Sequence, residues 1–156
     1  MELKVGSTAP AINLPDQDGK QQKLSDYKGQ YVLIYFYPKD DTPGCTKEAC
    51  GLRDSFPNFK KLNAKVLGIS ADSVAKHKKF VDKYELPFTL LADENKEVCE
   101  KYGVWSEKSM YGKLFFGINR TSFLVDPKGK IVRIYQKVKP VEHAAQVLSD
   151  LEELQK

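Results

Sequence analysis

Two cysteines five residues apart, Cys45 and Cys50, are the residues of this sequence best suited to redox chemistry. The polar loop before them contains Pro43 and Gly44, and a helix is predicted to begin near Cys45. The first N–H groups of a helix have no internal acceptor and the helix dipole favours negative charge, so a thiol placed there loses its proton more easily. Because the thiolate is the nucleophilic form of cysteine, this pattern predicts a reactive Cys45.

The spacing of the two cysteines restricts how they can bond. On one continuous helix, Cys45 and Cys50 would be separated by a rise of about 7.5 Å and a rotation of roughly 140°. Their Cα atoms would lie roughly 8–9 Å apart, beyond the ~7 Å that a disulfide spans without backbone movement. We therefore hypothesise a disulfide that forms only when the first helical turn unwinds, with Cys50 attacking an oxidised Cys45.

Length and charge limit the class of protein. The 156 residues are the size of one domain, predicted to cover residues 1–156. The net charge of +4 comes from 25 basic and 21 acidic residues, and only three of the basic residues are arginines. Lysines spread along a chain usually form a solvated surface, so we do not expect nucleic-acid binding.

The cysteine count and the apolar runs indicate the compartment. The first five residues lack the apolar segment of a signal peptide, and no apolar run approaches membrane-spanning length, so we expect a cytoplasmic protein that does not bind membranes. In the cytosol a disulfide is more often transient and catalytic than structural. Three cysteines is also an odd number, which leaves at least one thiol unpaired.

The order of predicted elements indicates an α/β fold. They are a hairpin across Asp18-Gly19, a helical turn at Ser25-Asp26, a strand over 31–37, a helix from Cys45 that Pro57 ends or restarts, a strand over 65–70, a helix capped by Asp72-Ser73, a strand over 87–91, a helix over 95–102, an irregular aromatic loop over 104–118, strands over 121–125 and 131–135, and a helix from about Val141. This order predicts a thioredoxin-like three-layer sandwich with an N-terminal hairpin extension and an inserted helix. A flavodoxin-like fold also alternates strands and helices, but the hairpin before the last helix favours the thioredoxin-like fold.

Other cysteine chemistries fit the sequence less well. A disulfide oxidoreductase usually carries two residues between its cysteines, whereas four separate Cys45 and Cys50. A zinc site would need four ligands, and neither His77 nor His143 has metal-ligand spacing with a cysteine, so no metal is expected. A Cys-His hydrolase is also disfavoured, because both histidines are more simply interpreted as solvated residues of helices.

The stretch around Cys45 resembles a family signature. The pattern Pro38-x-x-x-Thr42-x-x-Cys45 is similar to that of the peroxiredoxins, and the string from Thr42 to Cys50 resembles their bacterioferritin-comigratory-protein branch, also called peroxiredoxin Q. The similarity extends to residues 90–93, 103–105 and 120–126 and so covers essentially the whole chain. One departure is Gly51-Leu52-Arg53, where the branch usually has an aromatic residue before Arg-Asp.

The resemblance implies a thiol-dependent peroxidase that reduces hydrogen peroxide and organic hydroperoxides. Cys45 would attack the peroxide and become a sulfenic acid. Cys50 would resolve it as an intramolecular disulfide, which thioredoxin or a glutaredoxin-like dithiol would reduce. The branch also implies a monomer, although the aromatic loop around Trp105 to Phe116 offers an association surface. No cofactor is expected.

The resemblance assigns supporting roles to residues around the cysteine. Arg120 would keep Cys45 ionised and polarise the peroxide, and Thr42 would orient it through its hydroxyl. Pro38 would shield the thiolate from water, and the N–H groups of Cys45 and Gly44 would complete the set of donors.

Two further residues and one rival function stay open. Arg53 is either a second partner of the site or a solvated helix residue, and Cys99 is predicted to be a buried helix residue with a secondary redox role left open. The main rival to an enzyme is a redox sensor that uses the same Cys45/Cys50 switch for signalling. Sustained peroxide consumption with a reductant distinguishes the two.

Overall fold

The structure is a computed structural model that describes residues 3–156. Its elements, in chain order, are β1 (Asn13–Pro15), β2 (Gln21–Lys23), a 3₁₀ turn (Leu24–Tyr27), β3 (Tyr31–Phe36), α1 (Pro43–Asp54), α2 (Phe56–Lys61), β4 (Ala64–Ser70), α3 (Val74–Tyr84), β5 (Thr89–Ala92), α4 (Glu97–Lys101), β6 (Trp105–Met110), β7 (Lys113–Ile118), β8 (Thr121–Val125), β9 (Ile131–Tyr135) and α5 (His143–Leu154). Within this described part of the chain, no helix is long and apolar enough to cross a membrane.

The central sheet has five strands in the order β5-β4-β3-β8-β9. β3 pairs in parallel with β4 and antiparallel with β8, so it lies in the middle of the sheet. Residues alternate between the two faces of a strand, and both faces of β3 are covered. Leu33 and Tyr35 pack on one face, and Val32, Ile34 and Phe36 on the other, which explains the uninterrupted apolar run in the sequence.

Helices and the N-terminal segment cover the two faces of this sheet. Helices α1, α2, α3 and α5 contribute to the cluster that contains Leu33 and Tyr35. Helix α4 and the N-terminal segment pack on the opposite face. These three layers confirm the predicted α/β sandwich and its thioredoxin-like order of elements. The prediction of one domain over residues 1–156 stays a prediction.

Most of the predicted elements are confirmed with small changes at their ends. The N-terminal hairpin forms with Gly19 in its turn at φ +80, and a 3₁₀ turn covers Ser25-Asp26. Ser73 caps α3 by accepting a hydrogen bond from the N–H of Lys76. Pro57 lies in the first turn of α2, so a new helix starts there after α1 has ended.

The prediction of an irregular loop over residues 104–118 is wrong. These residues form an antiparallel hairpin, β6-β7, in which Trp105 pairs with Ile118. Its two-residue turn consists of Tyr111 and Gly112, both at positive φ. Tyrosine is an unusual residue at that position, since Asn-Gly and Asp-Gly are the pairs that normally mark such turns, and the sequence therefore gave no clear turn signal.

Gly68 in β4 is required by close packing, and we expect Gly68→Ala to destabilise the fold by about 1–3 kcal/mol. A Cβ atom there would lie 2.7 Å from Leu90 Cδ2 and 2.8 Å from the ring of Tyr35. Gly51→Ala is the matched control, because its Cβ would meet only Pro140 O at 4.0 Å. In the interior of α1 that change should stabilise by up to about 1 kcal/mol. Urea unfolding of both variants measures the difference, and equal stabilities would contradict the packing argument.

Candidate functional site

The site is built at the end of β3, where the chain turns through a loop into α1. Cys45 is the third residue of that helix and is almost fully buried, with 1% of its surface exposed. The sequence prediction of a cysteine in the first helical turn is therefore confirmed. Thr42 is the N-cap residue but makes no side-chain capping bond to any described residue, so the N–H groups of Gly44 and Cys45 stay available to an outside acceptor.

Arg120 brings a cation to the sulfur from the opposite end of the sequence. It directly precedes β8, and its Nη2 donates to Cys45 Sγ at 3.4 Å. Its Nη1 donates to Glu48 Oε1 at 2.8 Å, so one guanidinium holds both groups. Burial alone would lower the pKa of Arg120, but the charges of Cys45 and Glu48 hold that pKa above its ordinary value. Arg120 is thus a permanent positive charge against the thiol.

Gly44 leaves room for this contact. A Cβ atom at this position would lie 3.0 Å from Arg120 Nη2, so a side chain here would push the guanidinium away from its place. The glycine of the motif is therefore explained by the close approach of Arg120 rather than by backbone conformation.

Glu48 belongs to the site, although no role was predicted for it from the sequence. It is 1% exposed, and its Oε2 has no hydrogen-bond partner within residues 3–156. Burial raises the pKa of Glu48 to about 7, against the opposing effect of Arg120. A signal was available in the sequence, because Glu48 lies three residues after Cys45 and so shares its face of α1.

This raised pKa predicts that Glu48 makes the fold less stable as the pH rises. Folded Glu48 keeps its proton up to about pH 7, whereas the ordinary value is 4.5, so the folded state binds more protons between these limits. The free energy of unfolding should therefore fall by about 2–3 kcal/mol between pH 5 and pH 8 because of this group. Glu48→Gln should remove that loss in urea unfolding, whereas Glu107→Gln, at an exposed position of β6, should keep it. An unchanged pH dependence in Glu48→Gln would contradict the buried carboxyl as its source.

Both histidines are buried, so the prediction that they are solvated is wrong. His77 is 0% exposed and His143 is 1% exposed. His143 Nε2 lies 2.8 Å from Ser122 Oγ, and burial lowers its pKa to about 4. It is therefore neutral near pH 7 and adds no charge to the site. His77 lies on the buried face of α3 with Phe80, at the spacing of a helix.

A second cation, Lys108, and a buried phenol, Tyr35, lie near Arg120 and Glu48. Lys108 in β6 donates from Nζ to the carbonyl of Ile118 at 2.6 Å, and burial together with Arg120 lowers its pKa. A cavity of about 410 Å³ opens beside Arg120 and includes Lys108 in its wall. The hydroxyl of Tyr35 is buried without a partner in the described chain, and burial followed by the charge of Glu48 raises its pKa well above the ordinary value.

Two other predicted site residues lie on the loop before α1. Pro38 follows β3 and is exposed. The hydroxyl of Thr42 donates to the carbonyl of Lys39 at 2.9 Å, so its proton is committed and its lone pairs remain as acceptors. The structure thus places Thr42, Gly44 and Cys45 on one short turn, with Arg120 opposite.

Cys50, Cys99 and Arg53 are outside the cluster formed by Thr42, Gly44, Cys45 and Arg120. Cys50 is half-buried on the same uninterrupted helix as Cys45, and all three cysteines are free thiols. Cys99 is fully buried in α4, as predicted, and burial with the Asp93 carboxylate raises its pKa. Arg53 donates to the carbonyl of Tyr84 at 2.8 Å and makes no hydrogen bond to Cys45 within residues 3–156. Arg53 is therefore not a partner of Cys45.

Comparisons with known proteins agree with this geometry. The AhpC/TSA family profile matches residues 5–134. The chain is 52% identical to peroxiredoxin Bcp of Escherichia coli K12 over 151 residues, which cover 97% of both chains. It is 45% identical to peroxiredoxin Bcp of Bacillus subtilis over 154 residues, or 99% of this chain and 98% of the relative.

Solved structures show the same relationship. A Cys-to-Ser mutant of Xylella fastidiosa PrxQ superposes with a TM-score of 0.94 at 35% identity, covering 100% of this chain and 99% of the other. Peroxiredoxin Q of Xanthomonas campestris superposes with a TM-score of 0.88 at 41% identity, covering 93% and 92%. The thioredoxin-like fold, the cysteine at the start of α1 and these similarities together show that the chain belongs to the AhpC/TSA family and, within it, to the peroxiredoxins.

Proposed function

We propose that this chain is a thiol-dependent peroxidase that reduces hydrogen peroxide and organic hydroperoxides through Cys45. The observation that carries this proposal is the contact between the Arg120 guanidinium and Cys45 Sγ at 3.4 Å, made on a buried thiol in the first turn of a helix. The bacterioferritin comigratory protein of Xanthomonas campestris, 41% identical to this chain, has alkyl peroxide reduction activity. That relationship supports organic hydroperoxides as substrates here.

In the first step the Cys45 thiolate attacks one oxygen of the peroxide. An S–O bond forms while the O–O bond breaks, and sulfur loses two electrons that pass to the leaving oxygen. The leaving hydroxide or alkoxide takes up a proton and departs as water or alcohol. Cys45 becomes a sulfenic acid.

The surrounding groups stabilise the charge that moves in this step. Negative charge passes from sulfur to the leaving oxygen, so donors aimed along the O–O bond bind the transition state better than the ground state. Arg120 and the N–H groups of Gly44 and Cys45 supply such donors. The Thr42 hydroxyl donates its own hydrogen bond to the backbone carbonyl of Lys39. Its oxygen therefore accepts a hydrogen bond from the O–H group of the peroxide. Pro38 shields the thiolate from water.

In the second step Cys50 resolves the sulfenic acid. The Cys50 sulfur attacks Cys45 sulfur, an S–S bond forms, the S–O bond breaks, and hydroxide leaves as water after taking a proton. Because α1 is continuous through both residues, its first turn must unwind before the sulfurs can meet. A dithiol protein then reduces the disulfide by exchange, which returns both thiols.

Thioredoxin or a glutaredoxin-like protein is the reductant that we propose for the last step. We also propose that this chain acts in the cytoplasm, where thioredoxin and glutathione keep thiols reduced. We further propose that it works as a monomer, since Cys45 and Cys50 complete the cycle within one chain.

The experiment that tests this function follows the oxidation state of each cysteine. The reduced protein is mixed with one equivalent of hydrogen peroxide or cumene hydroperoxide, and sulfenic acid is trapped with dimedone and located by peptide mass spectrometry. We expect the dimedone adduct on Cys45 at early times and a Cys45–Cys50 disulfide later. With a thioredoxin system present, peroxide should be consumed over many turnovers. Oxidation without turnover by any dithiol would instead support the redox sensor.

A further inference from the structure

The loop that carries Thr42 is anchored inside the protein by Asp40. One carboxylate oxygen, Oδ1, accepts from the Tyr37 hydroxyl at 2.5 Å, and the other, Oδ2, lies 2.6 Å from His77 Nδ1. The backbone N–H of Asp40 donates to Asp72 Oδ2 at 2.8 Å. Asp40 is 9% exposed, and its three partners, Tyr37, Asp72 and His77, are all buried.

The ring of His77 faces an acceptor at both nitrogens. Nδ1 faces the Asp40 carboxylate, and Nε2 lies 2.9 Å from the carbonyl of Leu91 in β5. A carbonyl cannot donate, so Nε2 carries a proton. The carboxylate already accepts from Tyr37, and contacts as short as these are typical of charge-assisted hydrogen bonds. A hydrogen bond between two buried side chains, His77 at 0% and Asp40 at 9% exposure, thus joins α3 to the loop.

The next loop residue is held by the same helix from outside. Asp41 accepts from Lys83 Nζ at 2.8 Å and from the Tyr84 hydroxyl at 2.7 Å. Its φ of +57 is a conformation that non-glycine residues rarely adopt, so these bonds hold an unfavourable backbone in place. Adjacent aspartates thus attach one loop to two places on α3.

Helix α3 also holds the far end of α1. Arg53, in the last turn of α1, donates to the carbonyl of Tyr84. Cys45 and Cys50 therefore lie between two attachments to α3, one just before α1 and one near its end. The part of α1 that contains both cysteines is therefore bounded on each side by a hydrogen bond to α3.

We propose that His77 carries both ring protons and, through an ion pair with Asp40, is a positioning residue for the peroxidase. It fixes the loop before Cys45, so that the first step proceeds on a preformed site while unwinding for the second step stays local. This inference rests on the proposed function. It predicts that the two steps respond differently to the loss of the ion pair, because only the first one needs the loop in its fixed position.

The protonation of His77 is tested without any peroxide. The groups that face the ring are Asp40 from the loop, Tyr37 after β3, Asp72 after β4 and the Leu91 carbonyl of β5. Long-range ¹H–¹⁵N spectra of the reduced protein at pH 7.5 should show protons on both His77 nitrogens, and Asp40→Asn should remove one. A singly protonated ring in the parent overturns the ion pair. The spectra can contradict the ion pair while the peroxidase activity is confirmed, and the activity can be contradicted while the ion pair is confirmed.

Stopped-flow oxidation then measures the two steps, with Cys45 oxidation and disulfide formation followed separately. In Asp40→Asn we expect Cys45 oxidation to slow about tenfold, while disulfide formation is unchanged or faster. The double variant Asp40→Ala/His77→Leu removes both charges and should recover the stability of the parent but not its rate of oxidation. Recovery of both would show a purely structural role and overturn the proposal, as would equal slowing of both steps.

Tyr84→Phe tests the attachment of Asp41 to α3 through a change that should leave the protein folded. It removes only the hydroxyl that donates to Asp41, and we expect Cys45 oxidation to slow two- to threefold, in keeping with the loss of one hydrogen bond. Lys79→Met, at an exposed position of α3, is the matched control and should match the parent. If Tyr84→Phe also matches the parent while Asp40→Asn leaves Cys45 oxidation unaffected, α3 does not position the loop.

Discussion

Cys45→Ser is expected to abolish peroxide consumption, including the first turnover. The serine hydroxyl is far less acidic than a thiol and its oxygen cannot be oxidised by a peroxide, so neither the nucleophile nor the sulfenic acid can form. The change is nearly isosteric in a position that is 1% exposed, so the fold should be retained. Rapid-mix peroxide consumption with stoichiometric protein measures the result, and circular dichroism verifies folding.

The other two cysteines serve as controls with opposite expectations. Cys50→Ser should keep the first turnover but lose recycling by thioredoxin, because the sulfenic acid at Cys45 has no partner. Cys99→Ser should behave like the parent, since Cys99 is fully buried and its raised pKa keeps it a thiol. If Cys99→Ser lost recycling in the way expected of Cys50→Ser, the resolving role would belong to Cys99.

The continuity of α1 provides a structural test of whether Cys50 resolves the sulfenic acid at Cys45. Both cysteines lie within α1, from Pro43 to Asp54, and neither is bonded. At helical geometry their Cα atoms are roughly 8–9 Å apart, which is too far for a disulfide. An oxidised structure should therefore show the first turn of α1 unwound, and a continuous helix in both states would contradict resolution by Cys50.

The sequence predicted the elements that have strong local signals. The apolar run that forms β3 is buried on both faces, and such runs of β-branched and aromatic residues mark central strands. The helix predicted to begin near Cys45 is α1, which begins two residues earlier at Pro43, so that Pro43 and Gly44 belong to its first turn and not to the loop. The β6-β7 hairpin was missed because its turn, Tyr111-Gly112, relies on pairing along the strands rather than on a residue pair that favours this turn.

The contacts that complete the site depend on residues far apart in the chain. Glu48 and Arg120 are 72 residues apart, and His77 and Asp40 are 37 residues apart. Helical spacing can show that Glu48 shares a face with Cys45, but only the sheet order brings the start of β8 to the end of β3. The burial of His77 follows from the same cause, since its two partners come from a loop and from β5.

Arg120→Met is expected to slow the oxidation of Cys45 by about 10²–10³-fold, the usual cost of removing one donor that stabilises transition-state charge. Methionine fills similar space without charge or donors. The loss also leaves Glu48 buried without its partner, so the variant should be compared with Arg120→Met/Glu48→Gln, which removes that unpaired acid. Both should be slow in pre-steady-state oxidation, whereas only the single variant should lose stability near pH 8. Recovery of the rate in the double variant would contradict a direct role of Arg120.

Two milder changes separate the charge of Arg120 from its position. Arg120→Lys keeps the charge but has one nitrogen, which can reach either Cys45 or Glu48 and not both, so oxidation should slow by about tenfold.

Gly44→Ala keeps the arginine and displaces it, because the new Cβ would lie 3.0 Å from Nη2. The guanidinium is the end of a flexible side chain, so stability should change little while Cys45 oxidation slows about tenfold. A parent-like rate in Gly44→Ala would mean that the 3.4 Å contact between Arg120 and the sulfur is not needed for the reaction.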